Sequence, residues 1–159
     1  MSKQMSFKAS ITLILVLFLF SCASYNDKIA GYYKEVRDGN FVEAGKQLDK
    51  NSLLQKPRNK LLFLMERGKI SHLEGNYKES NDYLNEADQI LEDGQNSVGD
   101  ALVGTLVNPM TQTYKGEDFE KFMIHYYKAL NYLYLKMPDD AVVEARRISL
   151  QSQEQDDKF

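Results

Sequence analysis

Cysteine is nearly absent: Cys22 is the only one in 159 residues. A disulfide framework and a cysteine-built zinc site both need several, so neither organises this chain. Tryptophan is missing, and there are only three prolines and two histidines. His72 and His125 stand far apart, with Glu74, Glu117, Asp118 and Glu120 as their sequence neighbours, too thin a set to expect a metal. The Gly-rich phosphate loop, the HExxH zinc helix and the GxSxG elbow do not occur. An excess of positive charge is also missing. With 20 Lys and Arg against 23 Asp and Glu, the balance argues against nucleic acid as a partner, which needs a basic face. The apolar run Ile11–Phe20 is ten residues long, against about 20 for a helix that crosses a bilayer.

That short run has the form of a signal peptide. Lys3 and Lys8 give a positive start, Ile11–Phe20 the apolar centre, and Ser21 a small residue before Cys22, so residues 1–21 read as a removable leader. Leu19-Phe-Ser-Cys22 resembles the bacterial lipobox. The resemblance implies that Cys22 is acylated and becomes the mature N-terminus. The alternative is an ordinary secretory signal with Cys22 left as a free thiol. One acyl chain holds a protein marginally and several hold it stably, so lipidation of Cys22 implies a firm membrane anchor at the cell envelope. Ala23-Ser24 lacks the aspartate that retains such lipoproteins at the inner membrane, which favours the outer membrane. Periplasmic and surface faces stay open.

Beyond the leader the pattern is helical. Ile29, Tyr32, Tyr33 and Val36 recur at spacings of three and four, as on one face of a helix, and Asp38-Gly39-Asn40 supplies a turn. Phe41, Ala44 and Leu48 mark a returning helix. The layout recurs: Gly39-Asn-Phe-x-x-Ala44 is matched, 36 residues on, by Gly75-Asn-Tyr-x-x-Ser80, and more weakly by Lys136-Met-Pro-Asp-Asp-Ala141. These stretches resemble tetratricopeptide (TPR) repeats, whose period is about 34 residues. Small residues stand where paired helices touch: Gly68 and Ala129 on first helices, Ala44, Ser80 and Ala141 on second ones, Ala87 later. Tyr32 departs from this at the small first-helix position, as Asn51 and Ile148 do at the late one. The expectation is an all-α fold, a TPR-like right-handed stack of about three helical hairpins over 26–53, 58–92 and 118–151. The repeat domain spans 22–155, with a polar tail over 156–159.

Gly75 and its counterpart Lys136 are 61 residues apart, well over one period. The excess is an insert over 94–116, rich in glycine, with Asp100 to Val107 as a short helix candidate. It is expected to cap the core, or else to contact membrane or a partner. Tyr114-Lys-Gly-Glu-Asp-Phe-Glu120, His125-Tyr-Tyr-Lys-Ala-Leu-Asn-Tyr-Leu133 and Glu144-Ala-Arg-Arg147 together resemble a family of bacterial TPR-like lipoproteins of uncharacterised function. Members of that family continue well beyond the third hairpin, which implies a shortened member or the front part of a longer chain.

TPR arrays present a groove on their first helices. Carrying those positions across gives Ile29, Tyr33 and Val36, then Leu62, Met65, Lys69 and His72, then Met123, Tyr126, Leu130, Leu133 and Tyr134. The set is apolar and aromatic with two polar groups, as suits a peptide or helix. The same residues also suit packing beneath the insert. The expected function is a non-enzymatic protein-binding scaffold, an envelope lipoprotein whose partner is an envelope protein or peptide, with no cofactor. The alternative is a small-ligand or glycan-binding lipoprotein using Tyr126, Tyr127, Tyr132 and Tyr134, with the insert as a lid. Glu117, Asp118 and Glu120 read as helix-start charges, and Glu144 with Arg146 and Arg147 as a charged face from which one arginine turns into the stack. An enzyme becomes worth considering only if His125 meets two carboxylates in space.

Overall fold

The computed structural model of the chain describes residues 25–96 and 113–156. The leader, Cys22, the larger part of the insert and residues 157–159 lie outside the described residues, as does the helix candidate Asp100–Val107. Among the described residues the fold is all-α. Six α-helices run in order: α1 Tyr25–Arg37, α2 Phe41–Lys50, α3 Lys60–Leu73, α4 Tyr77–Asn96, α5 Asp118–Tyr134 and α6 Pro138–Asp156. They pair in sequence as three hairpins, α1 with α2, α3 with α4 and α5 with α6; α3 also packs on α2, and α5 on α4 and α3.

One turn is used three times. Each first helix ends on a left-handed residue: Gly39 at φ 77°, Gly75 at 82° and Lys136 at 64°. In each, the next backbone N–H reaches back five residues, Asn40 to Glu35, Asn76 to Ser71 and Met137 to Tyr132, over 2.8–2.9 Å. The left-handed residue itself bonds three residues back, to Val36, His72 and Leu133. Together these bonds satisfy the last carbonyls of the helix and reverse the chain. Glycine holds that backbone without strain; the third turn holds it with a lysine. The second helix then starts on Phe41, Tyr77 or Pro138, the last of these at a position where a missing N–H costs nothing.

Close approach is clearest at Gly68. A Cβ there would lie 2.7 Å from Leu84 Cδ2, so α3 and α4 meet at a distance only glycine permits. Ser80 faces it and donates its hydroxyl to the Gly68 carbonyl at 2.7 Å. Ala44, Ser80, Ala87 and Ala141 are all buried. Tyr32 is buried as well, although a large ring replaces the small residue of the second repeat there. Its hydroxyl donates to the Glu66 carboxylate on α3, which links the first hairpin to the second. Asn51 ends α2 and accepts from the backbone of Leu53 and Leu54 through its own oxygen, a turn that lysine or alanine would not make.

Two apolar clusters follow. Ile29, Tyr32, Ala44, Leu48, Leu54 and Ile70 join the first hairpin to α3. Leu61, Leu64, Leu84, Ala87 and Ile124 join the second hairpin to α5. The C-terminal end of the insert is tied to this second cluster. The Tyr114 N–H bonds the Arg58 carbonyl at 2.8 Å, and Gly116, at φ 74°, lies against Leu61 and Leu91. α5 then begins with the Glu117 N–H held by Glu120 Oε2 at 2.7 Å, the reach-back half of a capping box.

Candidate functional site

α3 and α5 are first helices of neighbouring hairpins, and a cavity of about 150 Å³ lies between them. Leu62, Met65 and Lys69 line it from α3, and Phe119, Met123 and Tyr127 from α5; Leu84 and Ile124 make its floor. On α3 the lining residues are spaced 62, 65, 66, 69, and on α5 119, 120, 123, 124, 127, the three-and-four pattern of one helix face. Two carboxylates, Glu66 and Glu120, stand on the rim, and both already have partners. Glu66 takes the Tyr32 hydroxyl and the Lys69 ammonium, and Glu120 takes the Tyr114 hydroxyl. The Lys69 ammonium also lies 5.4 Å from the centre of the Tyr32 ring, within cation–π range. What the groove leaves open to a ligand is therefore apolar: Phe119 is 66 % exposed and Met123 40 %. Burial raises the Tyr127 phenol above its usual range, with the neighbouring Tyr126 and Glu66 adding to it.

The twelve residues expected on a groove divide. Leu62, Met65, Lys69 and Met123 line it. Tyr33 is exposed beside it, its ring 6.0 Å from Lys69 Nζ, and Tyr126 sits edge-on against Tyr127. Ile29 is corrected: at 1 % exposure it belongs to the first apolar cluster, because α1 turns that face onto α2 and α3. Val36 packs against the same cluster, and Leu130, Leu133 and Tyr134 do not line the cavity. Tyr134 stacks instead on Tyr77, centroids 4.4 Å apart. His72 lies between Tyr77, Tyr127 and Tyr134, edge-on to each. Tyr126, Tyr127 and Tyr134 are thus chained through His72, while Tyr132 stands apart from them, near Lys128 and Glu144. Glu66 and Phe119 line the cavity without having been expected at any site, and Glu120 and Tyr127, expected as a helix-start charge and in the ligand alternative, line it as well; their spacing to Leu62 and Met123 places them on the same faces.

Behind the groove, α5 turns a polar face inward. His125, Lys128 and Asn131 recur every three residues and are all buried. His125 Nδ1 bonds Glu144 Oε2 at 2.7 Å. Lys128 Nζ lies 3.0 Å from both Glu144 Oε1 and Asp88 Oδ2. Arg147 reaches back from α6 to Asp88 and Glu92, each at 3.1 Å. Burial alone would raise the Glu144 carboxyl; hydrogen bonds from His125 and Lys128, with their charge, hold it below the ordinary glutamate range. One turn further on, Asn131 donates its amide to Ser80 Oγ and Asn81 Oδ1, both at 2.8 Å. Its oxygen faces His72 Nδ1 at 2.7 Å, so His72 carries its proton there.

His125 does meet two carboxylates, since Asp88 Oδ1 lies 3.7 Å from its other nitrogen. The histidine is 2 % exposed and does not line the cavity. Both carboxylates are also engaged by the Lys128 ammonium. The group is an interhelical joint. Among the described residues no three His, Cys, Asp or Glu side chains are placed to hold a metal ion, and no helix is long and apolar enough to cross a membrane.

No protein-family model, curated protein or solved structure matches the chain.

Proposed function

We propose that the chain is a TPR-like, right-handed stack of three hairpins that acts as a non-enzymatic scaffold, holding a peptide segment of an envelope protein between α3 and α5. The observation that carries this reading is the apolar groove whose rim carboxylates are already engaged within the chain. Its cavity of about 150 Å³ is below the roughly 300–1,000 Å³ of small-molecule sites. That volume suits one or two apolar side chains of a peptide. The turn repeated at Gly39, Gly75 and Lys136 supports the TPR-like arrangement. The lipobox-like Leu19–Cys22 supports an anchor through Cys22, with the groove held near the outer membrane.

Retention of envelope proteins by the purified chain tests the groove. Met65→Arg and Met123→Arg place charge in the cavity, and both should abolish retention of any protein that the native chain holds. Equal retention by all three chains sinks the groove. Mass spectrometry of the mature N-terminus tests the anchor separately: a Cys22 thiol without acyl groups removes it.

A further inference from the structure

The outer face of α6 departs from the repeat. Val143 stands where the first two hairpins carry Lys46 and Asp82, and Leu150 where the second carries Gln89, all three of them solvent-facing polar positions. Val142 stands where the first two have Gly45 and Asn81, both buried beneath the next first helix. In the third hairpin Val142, Val143 and Leu150 are 48 %, 51 % and 60 % exposed. Val142 and Val143 thus occupy positions that the first two hairpins keep polar or cover with a helix, and Leu150 one that the second keeps polar.

The charges along this face have an order that selects the occupant. Asp139 lies one turn before Val142 and Val143, and Arg146 one turn after them, both exposed. A second α6 crossing antiparallel over the Val142–Val143 pair brings Asp139 of each copy beside Arg146 of the other. Val142 of one copy then meets Val143 of the other. Leu150 falls over the other copy's turn, where Leu135 and Met137 are exposed. The apolar pair and both charges each find a complementary residue on an identical face, which is the requirement for a two-fold interface. Arg147 is not needed, being engaged with Asp88 and Glu92.

We propose that a second copy of this chain docks here, giving a two-fold dimer through α6, on a face separate from the peptide groove. The test is sedimentation equilibrium of the full chain in density-matched nonionic detergent, which disperses the apolar leader equally in every variant. The native chain should show a concentration-dependent dimer. Arg146→Asp should weaken it on the order of tenfold or more, since two Asp–Asp contacts replace two ion pairs. Asp139→Arg alone should do the same. The double variant Asp139→Arg, Arg146→Asp restores opposite charges across the two-fold axis and should return association to near the native level. A native chain that stays monomeric at 100 µM-scale concentration, roughly the range where weak specific dimers form, overturns the proposal. So does a dimer indifferent to Arg146→Asp, or a double variant no tighter than the single ones. Helical circular dichroism of each variant separates loss of association from loss of fold.

Discussion

The two joints between hairpins occupy equivalent places and are made of different material. At the first, Ile29, Leu48, Leu54 and Ile70 close an apolar cluster, and polar groups lie at its edge: Arg67 beside Asp49, and Tyr32 on Glu66. At the second, the incoming helix presents His125, Lys128 and Asn131 to Asp88, Glu144, Ser80 and Asn81. Arg67 and Lys128 are the same repeat position, a cation on each incoming helix that meets an acid on the preceding hairpin. In the first joint the cation is largely buried but its Asp49 partner is half exposed; in the second both cation and acid are buried. An apolar joint tolerates substitution of like volume. A buried ionic joint is sound only while every member is present, because desolvating an unmatched charge costs more than the pair gains.

The largest effect should therefore come from the second joint. Lys128→Met leaves Asp88 and Glu144 short of a buried cation and should cost about 3–5 kcal/mol, read as a fall in the denaturation midpoint. Hydrogen exchange should accelerate first in α5 and α6. Leu48→Ala attacks the first joint by removing buried methyl groups and should cost about 2–4 kcal/mol, with exchange accelerating first in α1 and α2. If both substitutions accelerate exchange uniformly, the joints are not separate and the comparison fails.

Acid should distinguish them next. The Glu144 carboxyl titrates below its ordinary value in the folded chain. Its contribution is complete above the unfolded value, about 4.3, and is lost as pH falls from there through the lowered folded value. Protection of α5 and α6 should then decline below about pH 4.3 more steeply in the native chain than in Glu144→Gln. Protection of α1 and α2 should follow the same course in both. The smallest effect concerns the turns. Lys136 holds a left-handed backbone that Gly39 and Gly75 hold without a side chain, so Lys136→Gly should stabilise by about 0.5–1 kcal/mol. A thermal melt of the single variant measures it.

These contrasts also show what was legible beforehand. The turns could be read because Gly39-Asn-Phe and Gly75-Asn-Tyr encode a backbone requirement locally, and even the divergent Lys136-Met-Pro keeps the spacing. The α3 side of the groove was readable for the same reason, since Leu62, Met65 and Lys69 follow from the register of the turn. α5 misled in both directions. Its apolar Leu133 and Tyr134 are exposed while His125, Lys128 and Asn131 are buried, the reverse of what hydrophobic periodicity expects. A buried polar face can be recognised only when its partners are known, and Asp88, Glu144 and Ser80 are supplied by other helices. Ile29 was misplaced because helical periodicity marks an apolar face without saying whether helix or ligand covers it.

The hydroxyl of Ser80 has a further consequence. It donates to the Gly68 carbonyl and accepts from Asn131, so one oxygen fixes the spacing inside the second hairpin and the seating of the third. In a linear array, stability is usually a sum over units and nearest-neighbour contacts. Here opening α3 from α4 also unhooks α5, so the third hairpin cannot outlast the second, although it can open before it. A chain pulled from its ends should then never show the second hairpin open while the third still holds, which the order of the extension steps reads.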